Sequence, residues 1–370
     1  MNPLNPVDLL SRRVAIPSVS RQEDRVAGFL RDLLADQGLD ARRVGNNVIC
    51  AVQGARPGPV FLLNSHLDTV PARDGWLTDP WEPTIVEGRL VGLGSGDAKA
   101  SVAAMACATA QIAREGLDRG TLIFAATCNE EIADPGIEEI LPELGRIDAA
   151  LVGEPTSLQA AVAQGGLLIL EATARGRTAH AARAHLGLNA LTVAARDLIA
   201  LDALVLDRDH PFLGRSTANV TVLRGGSSHN VIPDACDYTI DIRYTPAWSP
   251  DELVALIDAA TEAEIRVRSQ RLVPVETSTE APVARCLKEA HPEVSFFGSP
   301  TMSDWVFLKG VDAIKIGPGD SPRSHTANES VAVEEVERAV AVYAGCVRAL
   351  LDGRDGSPMA ISTPDLEGRR

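Results

Sequence analysis

Three short apolar runs, Val60 to Asn64, Thr121 to Ala126 and Ala149 to Val152, each stop at residues that can bind a cation or move a proton. Such runs are too short for ordinary helices, and they match strands buried on both faces of a sheet covered by helices. The covering helices are also legible. Glu23 to Gln37 sets Val26, Phe29, Leu30, Leu33 and Leu34 at helical spacing, and Asp97 to Ala113 is rich in alanine. In open α/β sheets, ligands gather beyond the carboxyl ends of the strands, so the runs mark both an architecture and its functional edge.

The pattern changes near Leu167. Cys236, Tyr238, Ile240, Ile242 and Tyr244 alternate with Asp237, Thr239, Asp241 and Arg243, which reads as a strand with one covered face. Strands near Leu167 to Ala174, Ala218 to Leu223 and Glu264 to Val273, with helices near Leu188 to Leu201 and Pro250 to Ala263, complete a small α+β sandwich. After Thr277 the α/β character returns, with a strand at Ala313 to Ile316 and a closing helix at Val333 to Leu351. A chain of 370 residues exceeds what one hydrophobic core usually serves. The expected division is a catalytic domain at 1–165 and 277–352, an inserted domain at 166–276, and a loose C-terminal tail at 353–370.

Composition narrows the partners. A formal charge of −15 argues against nucleic acid, whose binding rests on clustered Lys and Arg. No apolar run approaches the length of a bilayer span, so no membrane partner is expected. The first residues lack a basic start followed by an apolar stretch, which makes the cytoplasm the expected location. Cys50, Cys107, Cys128, Cys236, Cys286 and Cys346 lie far apart without a CxxC pair, as expected of reduced thiols packed as small apolar residues.

The polar strand ends carry the chemistry. His66 closes the first run, with Asp68 two residues on, a spacing at which a carboxylate can hold the second ring nitrogen of a metal-binding imidazole. Alone, such a pair reads as ordinary loop polarity. Asp97 follows the glycine-rich GLGSG, Glu130 and Glu131 end TLIFAATCNEE, Glu154 ends DAALVGE, and His325 follows the strand at Ala313 to Ile316 through a Gly- and Pro-rich loop. A helix cap explains Asp97 by itself, but nothing of that kind explains Glu130, Glu131 and Glu154. Gathered at one sheet edge without a cation, these carboxylates would repel and desolvate one another. Two His and three carboxylates suit two divalent ions, zinc first, with cobalt or manganese as alternatives.

In order, SHLDTVP, GSGDAKAS, CNEEI, VGEPT, GRTAHAARAHLGLNA, GGSSHNVIPD with the strand to Arg243, and SHTANES span nearly the whole chain. As a set they resemble the M20 metallopeptidase family, the group containing acetylornithine deacetylase, succinyl-diaminopimelate desuccinylase, aminoacylase and glutamate carboxypeptidase. The resemblance implies a metal-dependent aminopeptidase-like α/β domain, a mixed sheet flanked by helices, with an inserted ferredoxin-like α+β lid that also forms a homodimer. It implies that His66 and Glu154 bind one metal, Glu131 and His325 the other, and that Asp97 bridges them. Asp68 orients His66, Glu130 is the general base, and His180 reaches the partner subunit's active site. Arg243 clamps a substrate carboxylate beside Asn230, and Ser303 and Asp304 line the substrate pocket. This chain departs from the family pattern at Leu93, Ala100, Ser101 and Ala184.

The implied reaction is removal of an N-acyl group from a small amino acid, N-acetylornithine or a related N-acyl-lysine, as in arginine biosynthesis. The alternatives are a succinyl-diaminopimelate desuccinylase, a dipeptidase or carboxypeptidase on the same metals, and a catalytically silent metal-bound peptide binder. A nucleotide-binding turn is disfavoured because GLGSG leads at once into Asp97 and Lys99, and a serine hydrolase because no GxSxG occurs.

Overall fold

The apolar runs lie side by side. In the computed structural model, which describes residues 3–132 and 134–353, they form the centre of a mixed sheet. Its order is Arg42–Val44, Asn47–Gln53, Arg119–Thr127, Arg56–His66, Ala149–Val152, Asp312–Lys315. The last four strands run parallel to one another and the first two antiparallel. The parallel strands are apolar on both faces, as burial under helices requires. Register places their carboxyl ends together: His66 pairs with Thr127, Asn64 with Val152, and Lys315 with Val152.

Helices Pro6–Val14, Ala100–Glu115, Pro282–Ala290 and Val333–Arg348 pack with one another and with this sheet. Alanine lets Ala100–Glu115 approach closely, and almost every residue of it is buried. Lys99, at its start, is buried and donates from Nζ to the carbonyls of Arg13 and Ile16, both at 3.0 Å, while Arg13 Nη1 returns to the Lys99 carbonyl at 2.7 Å. This exchange ties the first helix to the loop before Ala100–Glu115. Ser101, where the family resemblance expects glycine, fits because Gly153 and Gly317 are bare: a Cβ on them would lie 2.6 Å from Ser101 Cβ and 2.3 Å from Ser101 Oγ.

The chain divides into two units, Met1–Gln159 with Ser278–Ser295 and Val311–Arg370, and Ala160–Thr277 with Phe296–Gly310. The second is wider than the 166–276 suggested by sequence. It takes Ala160–Gln164 and, in parallel with it, Phe296–Ser299, a strand whose glycine and polar residues mask it in the sequence. The tail from residue 354 onward lies outside the described residues.

Within the second unit an antiparallel sheet runs Thr217–Gly225, Ala235–Tyr244, Gly166–Arg175, Glu264–Leu272. Helices Ala190–Asp202 and Pro250–Ala260 contribute Val193, Leu201, Leu253 and Ile257 to a core with Leu168, Leu170, Tyr238, Ile240 and Ile242. Each such aliphatic side chain contributes about 1.5–3 kcal/mol on burial. The β-α-β-β-α-β order with both helices packed on that core is ferredoxin-like. Ser249 caps the second helix through a capping box with Glu252.

Candidate metal centre

Because the parallel strands end in register, the residues just past them converge. His66 is the last residue of its strand, Glu130 and Glu131 form a tight turn after Arg119–Thr127, and Glu154 lies two residues beyond Val152. Asp97 enters on the loop before Ala100–Glu115, where Gly94 takes a φ of 72° with a cis peptide following at Asp97–Ala98. His325 sits on the loop after Asp312–Lys315 with a φ of 60°, and Asn129, just before Glu130, has the same value. Left-handed backbone at two residues without the freedom of glycine is uncommon, and both flank this cluster.

Asp97 stands between the histidines. Its Oδ1 is 3.1 Å from His66 Nε2 and its Oδ2 3.5 Å from His325 Nε2. His325 Nε2 also lies 3.0 Å from Glu131 Oε1, and His66 Nε2 3.9 Å from Glu154 Oε1. Two sets of donor atoms, from His66, Asp97 and Glu131 and from His66, Glu130 and Glu154, each fall within 4.8 Å of one another. Glu130, expected as a base alone, thus also stands among the atoms able to hold an ion.

Asp68 is fully buried below the cluster. Its carboxylate accepts from the Glu130 and Glu131 amides at 3.2 Å each and from Ser20 Oγ at 2.7 Å, and its Oδ1 lies 3.5 Å from His66 Nδ1. The Asp68 side chain thus holds the Glu130–Glu131 turn, while His66 Nδ1 lies 3.1 Å from the Asp68 backbone carbonyl.

Burial pushes the Glu154 carboxyl up to about 8; nearby Asp97 and Glu131 add to the rise, and His66 and Lys315 oppose it. Burial also raises Glu131. His66 is held well above its usual range, because hydrogen bonds to Asp68 and Asp97 and the charge of Glu154 outweigh the burial that opposes its charge. Buried carboxylates that resist ionising together, facing two imidazoles, are a donor set that fits divalent cations.

A model of peptidase family M20/M25/M40 matches residues 62–349, a span that contains all six of these donors. The chain belongs to that family. As a member of it, the protein is a hydrolase acting on amide bonds. Acetylornithine deacetylase from Myxococcus xanthus is 32% identical over 377 residues, spanning 94% of this chain and 96% of that protein. Succinyl-diaminopimelate desuccinylase from Parvibaculum lavamentivorans is 28% identical over 95% of this chain and 97% of its own length. Among solved structures, aminopeptidase PepT from Bacillus cereus superposes with a TM-score of 0.80 at 22% identity, over 95% of this chain and 99% of that one. A dinuclear metal binding peptidase of family M20 from Bacillus subtilis gives 0.73 at 16% identity, over 94% and 98%. These two likenesses carry the α/β fold.

The remaining sequence-marked residues of this M20 chain lie in the second unit. His180 and Asn230 are exposed neighbours, since His180 pairs with Val231 and the Ala181 amide donates to the Asn230 carbonyl at 2.9 Å. Arg243 lines a small cavity with Tyr244, Ser299 and Met302, and Asn230 is not among its walls. Ser303 and Asp304 are not there either. Both are buried, and Ser303 turns its hydroxyl to Gln164 Oε1 at 2.7 Å. His210 and His291 are buried as well. His210 faces Glu276 at 3.1 Å and accepts two backbone amides, so a local turn absorbs it.

Sequence reasoning missed Glu329. Only 2% exposed, it accepts from the amides of Gly94, Gly96 and Asp97 at 2.9, 2.8 and 2.9 Å, linking the loop that bears His325 to the one that bears Asp97. Lys315 was missed too: it ends its strand buried beside Glu154, Glu130 and Asp97. Among the described residues no helix is long and apolar enough to cross a membrane. All six cysteines are free thiols, five of them buried.

Proposed function

We propose that the chain is a two-metal deacylase that removes the acyl group from an N-acylated amino acid, N-acetylornithine or a related N-acyl-lysine first. The observation that carries this reading is Asp97 turning one oxygen to each of two histidines, with Glu131 and Glu154 beside them. The 32% identity to acetylornithine deacetylase over nearly the full length supports the substrate class. In this reading His66 and Glu154 would hold one ion, Glu131 and His325 the other, and Asp97 would serve both. Zinc fits these N and O donors, with cobalt or manganese as alternatives.

Such a pair, when bound, supplies Lewis acidity that activates water and polarises an amide. Glu130 then accepts the water's proton and delivers it to the departing amine. Asp68 keeps the Glu130 turn in place through its amide. His180 and Asn230, adjacent and exposed, are offered to a partner subunit, where His180 donates to the scissile carbonyl oxygen. A homodimer through the second unit has material support: Val222 and Leu223 are exposed on its outermost strand, and Leu191 and Ile199 on its first helix. Arg243 binds the substrate's carboxylate. A cytoplasmic role in arginine biosynthesis belongs to the same reading.

The alternative is desuccinylation, supported by the 28% identical desuccinylase. Metal analysis by mass spectrometry with assays on N-acetylornithine, N-succinyl-diaminopimelate and dipeptides separates the possibilities. Release of acetate from N-acetylornithine at two ions per chain is the expected result. Preference for the succinylated substrate favours the desuccinylase, cleavage of dipeptides alone overturns deacylation, and metal binding without any hydrolysis indicates a silent peptide binder.

A further inference from the structure

The cavity that Arg243 lines contains a second arginine. Arg215 and Arg243 both wall a space of about 100 Å³, together with Tyr244, Thr245 and Ser299. That is room for roughly three waters at ~30 Å³ each. Strand register explains the approach: Thr217 pairs directly with Arg243, and Arg215 precedes Thr217 by two residues.

Each guanidinium is braced along one edge. Arg243 gives Nε and Nη2 to the two oxygens of Asp241 at 2.8 and 3.1 Å, and Arg215 gives the same atoms to Asp209 at 2.9 and 3.4 Å. Forks held this way lose little freedom when they bind a further anion, and Nη1 of neither has a hydrogen-bond partner among the described residues. The bracing carboxylates stand outside the cavity, and no Asp or Glu lines it. Tyr244, only 1% exposed, keeps a hydroxyl without a partner at the same wall. Two forks, each paired along one edge with an aspartate, and three hydroxyl side chains wall a half-open space for a small anion, with no acid among its walls.

Resting on the deacylase reading, we propose that Arg215 is a specificity-determining residue that shares the substrate's free carboxylate with Arg243. The family resemblance assigns that clamp to Arg243 beside Asn230 and gives Arg215 no part in it. Two forks on one carboxylate make the site disfavour substrates in which that group is esterified or amidated, because a neutral head forgoes the charge-assisted hydrogen bonds of both.

The test compares metal-loaded wild type, Arg215→Ala and Arg215→Lys on N-acetylornithine and on its α-carboxamide. Alongside it, calorimetric titration of N-acetylornithine into Glu130→Gln protein is run with and without Arg215→Ala. Arg215 is 56% exposed, so the folded state should survive, as matching thermal melts would verify. The expected result is a KM for the acid raised roughly 10- to 100-fold in Arg215→Ala, the scale of a lost charge-assisted hydrogen bond, with kcat within about threefold. The carboxamide should be indifferent to the substitution, and lysine should restore only part of the loss because it is a point charge and not a fork. An unchanged KM for the acid, or equal losses on acid and carboxamide, overturns the proposal. Failure of the deacylase reading looks different: wild type turns over no N-acyl amino acid, while the calorimetric affinity still falls with Arg215→Ala.

Discussion

Asp97 faces His66 through Oδ1 at 3.1 Å and His325 through Oδ2 at 3.5 Å, so one carboxylate serves two histidines, one at a strand end and one on a loop, 31 and 228 residues away in sequence order. Removing it should empty both ion positions at once. Asp97→Ala is expected to retain less than one metal equivalent per chain and to lose more than roughly 100-fold in activity, beyond what disturbing an outer partner costs. Mass spectrometry of the desalted protein and steady-state assay check both, and retention of two equivalents would remove Asp97 from its bridging role.

Glu130 should separate chemistry from metal binding. Glu130→Gln keeps an oxygen donor and the Asp68-bound amide, so the ions are expected to stay while the rate falls by roughly 100-fold or more. Full activity in that variant would assign the proton transfer elsewhere.

Metal uptake should release protons. In the metal-free protein Glu154, pushed up to about 8 by burial, carries a proton at pH 7, and the hydrogen bonds of His66 to Asp68 and Asp97 favour its protonated form. A cation must displace the Glu154 proton, so apparent affinity rises with pH through 7 and levels off only above about 8. Calorimetry of zinc binding at pH 7 in two buffers of different ionisation enthalpy should give different heats, with protons passing to the buffer. Identical heats would contradict this protonation state.

Glu329→Ala should cost stability out of proportion to its size. It strips the acceptor from three buried amides, and even one left unsatisfied costs about 1–3 kcal/mol. Glu329→Gln, which still offers an oxygen, should lose less. Denaturant unfolding gives the ranking, and a parallel drop in metal retention would show that the Asp97 loop has loosened.

The second unit should carry its own acid sensitivity. Glu252, held down to about 2 from 4.5 by Arg208 and by the Ser249 amide and hydroxyl, favours the folded state when ionised. That contribution is complete above about 4.5 and disappears as pH falls toward 2, the direction expected of a depressed carboxylate. The gap in melting temperature between wild type and Glu252→Gln should therefore narrow steadily from pH 5 to pH 3.

What could be read from the sequence is what side chains announce. The runs ending at His66, Glu131 and Glu154 are apolar to their last turn, so both the strands and the edge where they stop were visible, and the alternation from Cys236 to Tyr244 appears in the burial of those same residues. An inserted α+β sandwich followed from that order, and its ferredoxin-like form from the family resemblance. Glu329 stayed hidden because its partners are backbone amides, which leave no residue type to notice. Ala160–Gln164 was missed since three alanines within five residues carry no strand preference, and with it went the membership of Phe296–Ser299. Ser303 and Asp304 were placed at the substrate pocket by resemblance alone; a hydrogen bond to Gln164 turns the serine inward.

The shared register of the parallel strands has a consequence for how this protein tolerates change. Each donor sits at a fixed count beyond a hydrogen-bonded rung, with His66 level with Thr127 and Asn64 level with Val152. Deleting one residue inside any of these strands would drag its donor by about 3.3 Å and swing it to the opposite face. Length variation should therefore accumulate in surface loops distant from that edge, while the spans between rung and donor keep a constant count.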